Sequence, residues 1–249
     1  MSRVEDAGLN ASAAPQQRWL DGWLVRYLPG KARRARCINA VAQGRVPLED
    51  KLKTVADVYR QAGLPLLFRL THFTRPQALD DELAARGYGL VDTTRVMIRA
   101  ELPAPRRIEA PPGTHWVMLD SDSFAQAVGA LRGSTPEHRD CHALRLRHSP
   151  VPYFGHALRR EADGAILACG QVAREAELVG LYDVFTLEAA RNQGLSRLIC
   201  EHMLSTCAMM GAKTAYLQVD SENQPALRVY GHLGFADAYH YHYREAPTH

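Results

Sequence analysis

The chain has no apolar run approaching the ~20 residues that a membrane-spanning helix needs, which excludes a helical membrane protein. Its first residues, MSRVEDAGLNASAAPQQ, lack the apolar core of a secretory signal. Residues 1–18 are therefore expected to be a mobile lead-in, and the protein is expected in the cytoplasm. Cysteine is sparse: five residues, an odd number, with no CxxC pair, so neither a disulfide framework nor a zinc site is indicated and no metal is expected. Charge of one sign is also missing. Thirty Lys and Arg stand against 27 Asp and Glu, a net +3 with the basic residues scattered, where a nucleic-acid-binding protein shows a concentrated basic face.

What remains is an ordinary globular composition, 46% hydrophobic and 23% charged. At 249 residues the chain suits two domains of about 100–150 residues each. Four prolines fall within Leu102–Gly113, where missing donors and fixed φ exclude a helix or an interior strand. The expected division is thus 1–18, 19–101, a linker over 102–113, and 114–249, with the last part expected to bind its ligand when expressed alone.

Before the linker, the pattern predicts strands over Trp19–Leu28 and Arg34–Val41 and a helix from Pro47. That helix carries Leu48, Leu52, Val55, Val58 and Tyr59 and stops at Gly63. A strand over Leu66–Thr71, a helix from Pro76 to Gly87 and a strand over Leu90–Ala100 follow. After the linker come a strand over Thr114–Leu119 and a helical region over Ser121–Leu146. Two strands flank the hairpin signal Ala162-Asp163-Gly164, and a third covers Leu178–Thr186. The rest reads as a helix over Gly194–Met210, a strand over Ala215–Val219, a helix over Asn223–Leu233 and a final strand over Phe235–Arg244. This order predicts an α/β (α+β) fold, a mixed sheet with helices on its faces. The two halves echo each other, FRLT…LDDELAARGYGLV against YLQV…PALRVYGHLGFAD. Either the chain carries a degenerate internal duplication or this is a common strand–helix–Gly–aromatic connection.

Chemistry concentrates in DVFTLEAARNQG, Asp183–Gly194, and its continuation Leu195-Ser196-Arg197. Here a strand ends and a helix begins. The first N–H groups of a helix have no intrahelical partner, and the positive end of the dipole stands behind them, so the start is an anion site. Gly194 lets a phosphate approach the backbone, and Ser196 is small and can donate its hydroxyl. A plain glycine-containing helix start is the other reading. Farther on, Asn223, Ala226 and Tyr230 share one helix face, followed by Gly234 and Phe235. Asn223 could equally be an N-cap and Tyr230 a core aromatic.

The two features stand 32 residues apart, from Arg191 to Asn223, with one helix–strand unit between them. Together they resemble the GNAT N-acetyltransferases, whose acetyl-CoA motif is Arg/Gln-x-x-Gly-x-Gly/Ala after the fourth strand. That family commonly continues with Asn, Ala and Tyr-x-x-x-Gly-Phe. Arg191, Gly194, Asn223, Ala226, Tyr230, Gly234 and Phe235 match; Ser196 departs from Gly/Ala. The resemblance covers roughly 114–243. It implies a splayed central sheet flanked by helices, with 19–101 a smaller, degenerate GNAT-like domain.

It further implies an acetyl-CoA site built from Val184, Phe185, Thr186, Arg191, Asn192, Gln193, Gly194, Leu195, Ser196, Arg197, Asn223 and Ala226. Tyr230 would be the acid toward the departing thiolate. Asp183, the only carboxylate in its strand, would be the candidate base unless it merely orders a bulge. The implied partners are coenzyme A and an amine-bearing small molecule or peptide, with no nucleic acid and no membrane. The alternative is an acetyl-CoA-binding regulator without catalysis; a cysteine-nucleophile acyltransferase lacks a Cys–His pairing. His138, His142 and His148 lie where the family binds substrate, and each is expected to be a surface histidine. Tyr239, Tyr241 and Tyr243 alternate with His240 and His242, so one face of that strand reads as core or homodimer contact. Cys169 and Cys200 read as packing residues.

Overall fold

The computed structural model describes residues 2–247. The first half comprises α1 (Ser2–Ala11), β1 (Gln17–Leu20), β2 (Trp23–Arg26), β3 (Ile38–Ala40), α2 (Leu48–Gln61), β4 (Leu67–Thr71), α3 (Leu79–Ala85) and β5 (Gly89–Arg99). The second comprises β6 (Thr114–Leu119), α4 (Ser121–Leu131), α5 (Pro136–Arg147), β7 (Tyr153–Arg160), β8 (Ile166–Glu175), β9 (Leu178–Thr186), α6 (Leu195–Met209), β10 (Thr214–Asp220), α7 (Gln224–His232) and β11 (Ala236–Glu245). None of the described helices is long and apolar enough to cross a membrane.

The local reasons are those of the sequence. Leu195, Ile199 and Met203 recur every four residues on α6 and are all buried. Leu52, Val55 and Tyr59, spaced three and then four apart, are likewise buried on α2, which ends ahead of Gly63 at φ +64°. Two expected elements are subdivided. Asp21-Gly22, both at positive φ, fold Trp19–Leu28 into the β1–β2 hairpin. Gly133, at φ +62°, separates α4 from α5 where one helical region was expected.

Among the described residues all eleven strands join one sheet, in the order β1-β2-β3-β4-β11-β5-β10-β9-β8-β7-β6. Each half contains a parallel pair joined through a helix, β3–β4 through α2 and β9–β10 through α6. Each half also ends in an antiparallel strand, and those two strands are exchanged. β11 lies between β4 and β5, with Tyr243 opposite Arg69. β5 lies against β10, with Arg99 opposite Ala215. The expected boundary at 102–113 therefore falls within a shared sheet. The proline-rich segment has no regular structure but lies along the second half: Leu102 N–H donates to Lys213 O at 2.8 Å, and Ser205 Oγ accepts from Arg106 N–H at 2.8 Å.

The expected mobile lead-in contains α1, a packed helix. Its buried face is Val4, Ala7, Gly8 and Ala11, an i, i+3, i+4, i+7 pattern made mostly of small residues. Small side chains let it lie close to the sheet; a Cβ on Gly8 would stand 2.9 Å from the Gln218 amide nitrogen. It covers the Tyr239, Tyr241 and Tyr243 face of β11, which is core. Glu5 accepts from Arg69 at 2.5 Å and from the Tyr239 hydroxyl at 2.5 Å, within the buried seam. Losing one member of such a buried pair costs roughly 3–5 kcal/mol.

Candidate functional site

β9 and β10 pair from Leu178/Thr214 to Leu181/Leu217 and then part. β10 continues on β5 and β9 continues on β8, so a gap opens between parallel strands at their C-terminal ends. A bulge in β9 marks the parting. Its register against β8 shifts between Cys169 and Gln171, and Asp183 sits at φ +52°.

Beyond the bulge lies a groove of about 700 Å³. It is lined by every cofactor residue expected from the sequence except Gln193. Asn192 and Gly194 adopt left-handed conformations, φ +62° and +74°, and turn the chain into α6. The first helical bond there runs from Leu198 N–H to Gly194 O at 3.0 Å, so the N–H groups of Leu195, Ser196 and Arg197 have no carbonyl within their helix. The first turn of α6 carries no acidic residue. At the parting strand, Thr186 Oγ1 is buried without a hydrogen-bond partner among the described residues. A chain of amides laid in the gap would give it one. Charge, shape and orphaned donors thus fit a pantetheine–pyrophosphate ligand.

Asn223 caps α7 by accepting from Ala226 N–H at 3.2 Å and also lines the groove. Arg228 and His232 line it too, and neither was expected. The signal was available: 225, 228, 229 and 232 follow helical spacing from the capped start. Tyr230, one turn beyond Ala226 on the same face of α7, is not among the groove's lining residues; it packs against the core, edge-on to Phe235 at 6.1 Å. Its hydroxyl bonds to no other described residue. Burial, with Cys200 nearby, raises its phenol pKa far above the usual value, so it remains a proton donor in alkaline solution.

On the other side of the bulge is a second cavity, of about 240 Å³. α4, α5, β9 and the loop Leu28–Ala35 from the first half form its walls. Asp183 is at its end, 21% exposed, where it accepts from Arg132 Nη1 and Gln171 Nε2, both at 2.7 Å. His142 Nε2 lies 3.4 Å away from its carboxylate. Burial would raise the Asp183 pKa, but the hydrogen bond from His142 and the charge of Arg132 outweigh it and hold the carboxyl well below its usual range. Asp183 is thus held ionised, with the His142 imidazole beside it.

Of the three histidines expected at the surface, His142 is 18% exposed and pairs with Asp183, and His138 lines the cavity. Only His148 is turned away, its Nδ1 on Leu144 O at 2.9 Å of its own helix. Cys169 and Cys200 are core residues, and burial pushes both thiols up to about 12, which removes them as nucleophiles at neutral pH.

A family model described as "Probable histone acetyltransferase Rv0428c C-terminal" matches residues 1–244. The chain is 28% identical over 242 residues to an uncharacterized N-acetyltransferase, YobR, of Bacillus subtilis, covering 92% of this chain and 91% of that one. Among solved structures it is similar to a GCN5-related N-acetyltransferase from Kribbella flavida, with TM-score 0.68, 18% identity and coverage of 100% and 96% of the two chains. It is also similar to a tandem GNAT protein from the clavulanic acid biosynthesis pathway, with TM-score 0.60, 13% identity and coverage of 81% and 70%. At those identities the structural likeness concerns the fold.

Proposed function

The chain belongs to the family of the probable histone acetyltransferase Rv0428c C-terminal region, within the GNAT N-acetyltransferases, and from that premise we propose that it transfers acetyl from acetyl-CoA to a primary amine by direct attack in a ternary complex. One observation carries the reading: two neighbouring residues of β9, Asp183 and Val184, line two different cavities, to which the reading assigns the acceptor and the cofactor. A thioester in the gap would face both.

Acetyl-CoA is the cosubstrate. The orphan N–H groups of Leu195–Arg197 hold its pyrophosphate, with Arg191, Arg197 and Arg228 around it. An alkylamine with a pKa of ~10.4 is about one part in a thousand neutral at pH 7, a cost of roughly 4–5 kcal/mol. Imidazole is the side chain that ordinarily exchanges protons near neutral pH. With Asp183 beside Nε2, the tautomer carrying its proton there leaves Nδ1 of His142 to take the amine proton, directly or through water. The neutral nitrogen attacks the thioester carbon, a proximity effect of up to ~7–11 kcal/mol once both are bound. Backbone N–H groups at the parting of β9 stabilise the oxyanion. The N–C bond forms, the C–S bond breaks, and the thiolate takes a proton with help from Tyr230.

The test is release of free CoA thiol over an amine panel, with the product carrying the mass increment of one acetyl group. His142→Gln should lower kcat by ~10²–10⁴-fold with little change in acetyl-CoA affinity. Acetyl-CoA binding without thiol release from any amine would overturn the reading in favour of a regulator that only binds the cofactor.

A further inference from the structure

The acceptor cavity is unusually cationic. Lys31, Arg34, Arg132, Arg139 and Arg145 line it, and Asp183 is the one carboxylate among the lining residues. That carboxylate is already committed to Arg132, Gln171 and His142. Lys31, Arg34, Arg139 and Arg145 have no acidic partner within ion-pair distance among the described residues; Lys31 reaches only Ser134 Oγ, at 3.4 Å. Arg34 donates to Gln218 Oε1 at 2.9 Å, and Arg145, which is buried, to Ala11 O at 3.1 Å. Arg139 Nε is buried with no hydrogen-bond partner among the described residues. A guanidinium has five N–H donors in a planar fork that matches a carboxylate or phosphate. Most of those donors are uncommitted here.

The seam of the same protein shows what this sequence does with a buried arginine that has no ligand to meet. Arg69 is met by Glu5 from α1, with the Tyr239 hydroxyl completing the carboxylate's bonds. Near Arg34 and Arg145 the one carboxylate is that of Asp183, already bonded to Arg132 and Gln171. Arg145 is buried and Arg34 and Arg139 are partly buried; cations gathered in this way repel one another unless paired, and an anion from outside would balance them. Acetyl-CoA does not supply it, because its phosphate groups belong to the groove beyond the bulge, at Arg191–Arg197. At about 240 Å³ the cavity lies below the ~300–1,000 Å³ of sites for drug-sized ligands. It suits a small molecule, and a lysine-rich protein tail would bring more positive charge into it.

We infer that the acceptor is a small amine carrying its own anionic group, a carboxylate or a phosphate, which Arg34, Arg139 and Arg145 hold while the amine faces His142. This rests on the acetyl-transfer reading and names its substrate class. The loop Leu28–Ala35 contributes Arg34, so the first half of the chain helps to choose the substrate although it holds no cofactor motif.

The experiment uses the full chain and matched probes: β-alanine against its carboxamide, O-phosphoethanolamine against ethanolamine, and a lysine-containing basic peptide. Affinity is measured by calorimetry on the CoA-bound protein, and kcat/KM by thiol release. The anionic member of at least one pair should bind at least tenfold tighter and react with at least tenfold higher kcat/KM. The pair showing the difference separates carboxylate from phosphate. Arg34→Gln and Arg139→Gln should collapse that ratio toward one, through KM, while acetyl-CoA affinity stays near wild type and certifies the fold. If the neutral amines or the basic peptide bind and react as well as the anionic probes, the inference falls and acetyl transfer stands. If no amine reacts, the acetyl-transfer reading falls, and the calorimetric preference alone decides whether the cavity selects anions.

Discussion

The two strand–turn–helix corners of this protein are built alike and face opposite fates. In the second half, β9 turns into α6 through left-handed Asn192 and Gly194, and the first turn of the helix is open, free of acid and rimmed by Arg191, Arg197 and Arg228. In the first half, the turn from β3 into α2 is closed by the chain itself. The Asp21 carboxylate accepts from Arg45 N–H at 2.9 Å and Val46 N–H at 2.9 Å, and it is paired with Lys51 at 3.4 Å. Gly44 has no Cβ, and one would collide with that carboxylate. Glu49 and Asp50 then place two more negative charges in the first turn of α2. An internal carboxylate thus fills the corner of the first half whose counterpart in the second half is open. The first half also exchanges a strand with the second and contributes the loop Leu28–Ala35 to the cavity at Asp183.

The most drastic way to break the comparison is to separate the halves. Both neighbours of β11, β4 and β5, come from the first half. Residues 114–249 alone would leave β11 unpaired and β10 with an open edge, which invites aggregation. The expected result, by size-exclusion chromatography and calorimetry, is an aggregated fragment without measurable coenzyme A binding. A monomeric fragment with wild-type affinity would show that the exchange is dispensable.

Tyr230 stands four residues before Gly234, where the first half has Leu83 before Gly87, and its hydroxyl can be removed with the ring kept in place. Tyr230→Phe should lower kcat by about 10²-fold, the low end of general acid catalysis, because a thiolate already leaves well. Fold and acetyl-CoA affinity should change little. Since burial keeps the phenol protonated, the wild-type advantage should persist from pH 6 to 10 with no loss at the alkaline end. Full turnover by the variant throughout would assign the proton to water.

Gly194→Asp makes the open corner resemble the closed one. A side chain at φ +74° is strained, and its carboxylate would stand where the pyrophosphate is proposed to lie. A loss of at least tenfold in acetyl-CoA affinity by calorimetry is expected; unchanged binding would move the site elsewhere.

The smallest effect distinguishes the halves by acid. In the second half, burial lowers His156 from its usual 6.5 to about 4, with His202 adding to the effect. The folded state holds this imidazole neutral, so its contribution is complete above pH 6.5 and is lost as pH falls toward 4, up to about 3 kcal/mol. In the first half, the N–H bonds from Arg45 and Val46 lower the Asp21 pKa, so that contribution is lost only below the ordinary carboxylate range. Hydrogen exchange should therefore show the β6–β8 region loosening before the α2 corner on acidification. His156→Asn should remove that order, and simultaneous loosening of both regions in the wild type would contradict it.

The elements whose signals are local were readable in the amino-acid order: the α6 stripe, the hairpin at Gly164, the helix start at Asn192–Gly194 and the cap at Asn223. Each depends on residues within about one or two turns of chain, where spacing and backbone preference decide the outcome. α1 was legible in principle, at 4, 7, 8 and 11, but its alanines and glycine carry little hydrophobic signal; what they provide is close approach, which matters only once a sheet lies beneath. The exchange of β5 and β11, the Arg34 loop closing over the cavity at Asp183 and the meeting of His142 with Asp183 were decided by tertiary structure alone. Backbone ladders offer the same donors and acceptors to any strand, so the partner is selected by packing across the whole sheet. Likewise, His142 and Asp183, on α5 and β9, become a pair only when α5 settles over the bulge that Asp183 itself helps to form.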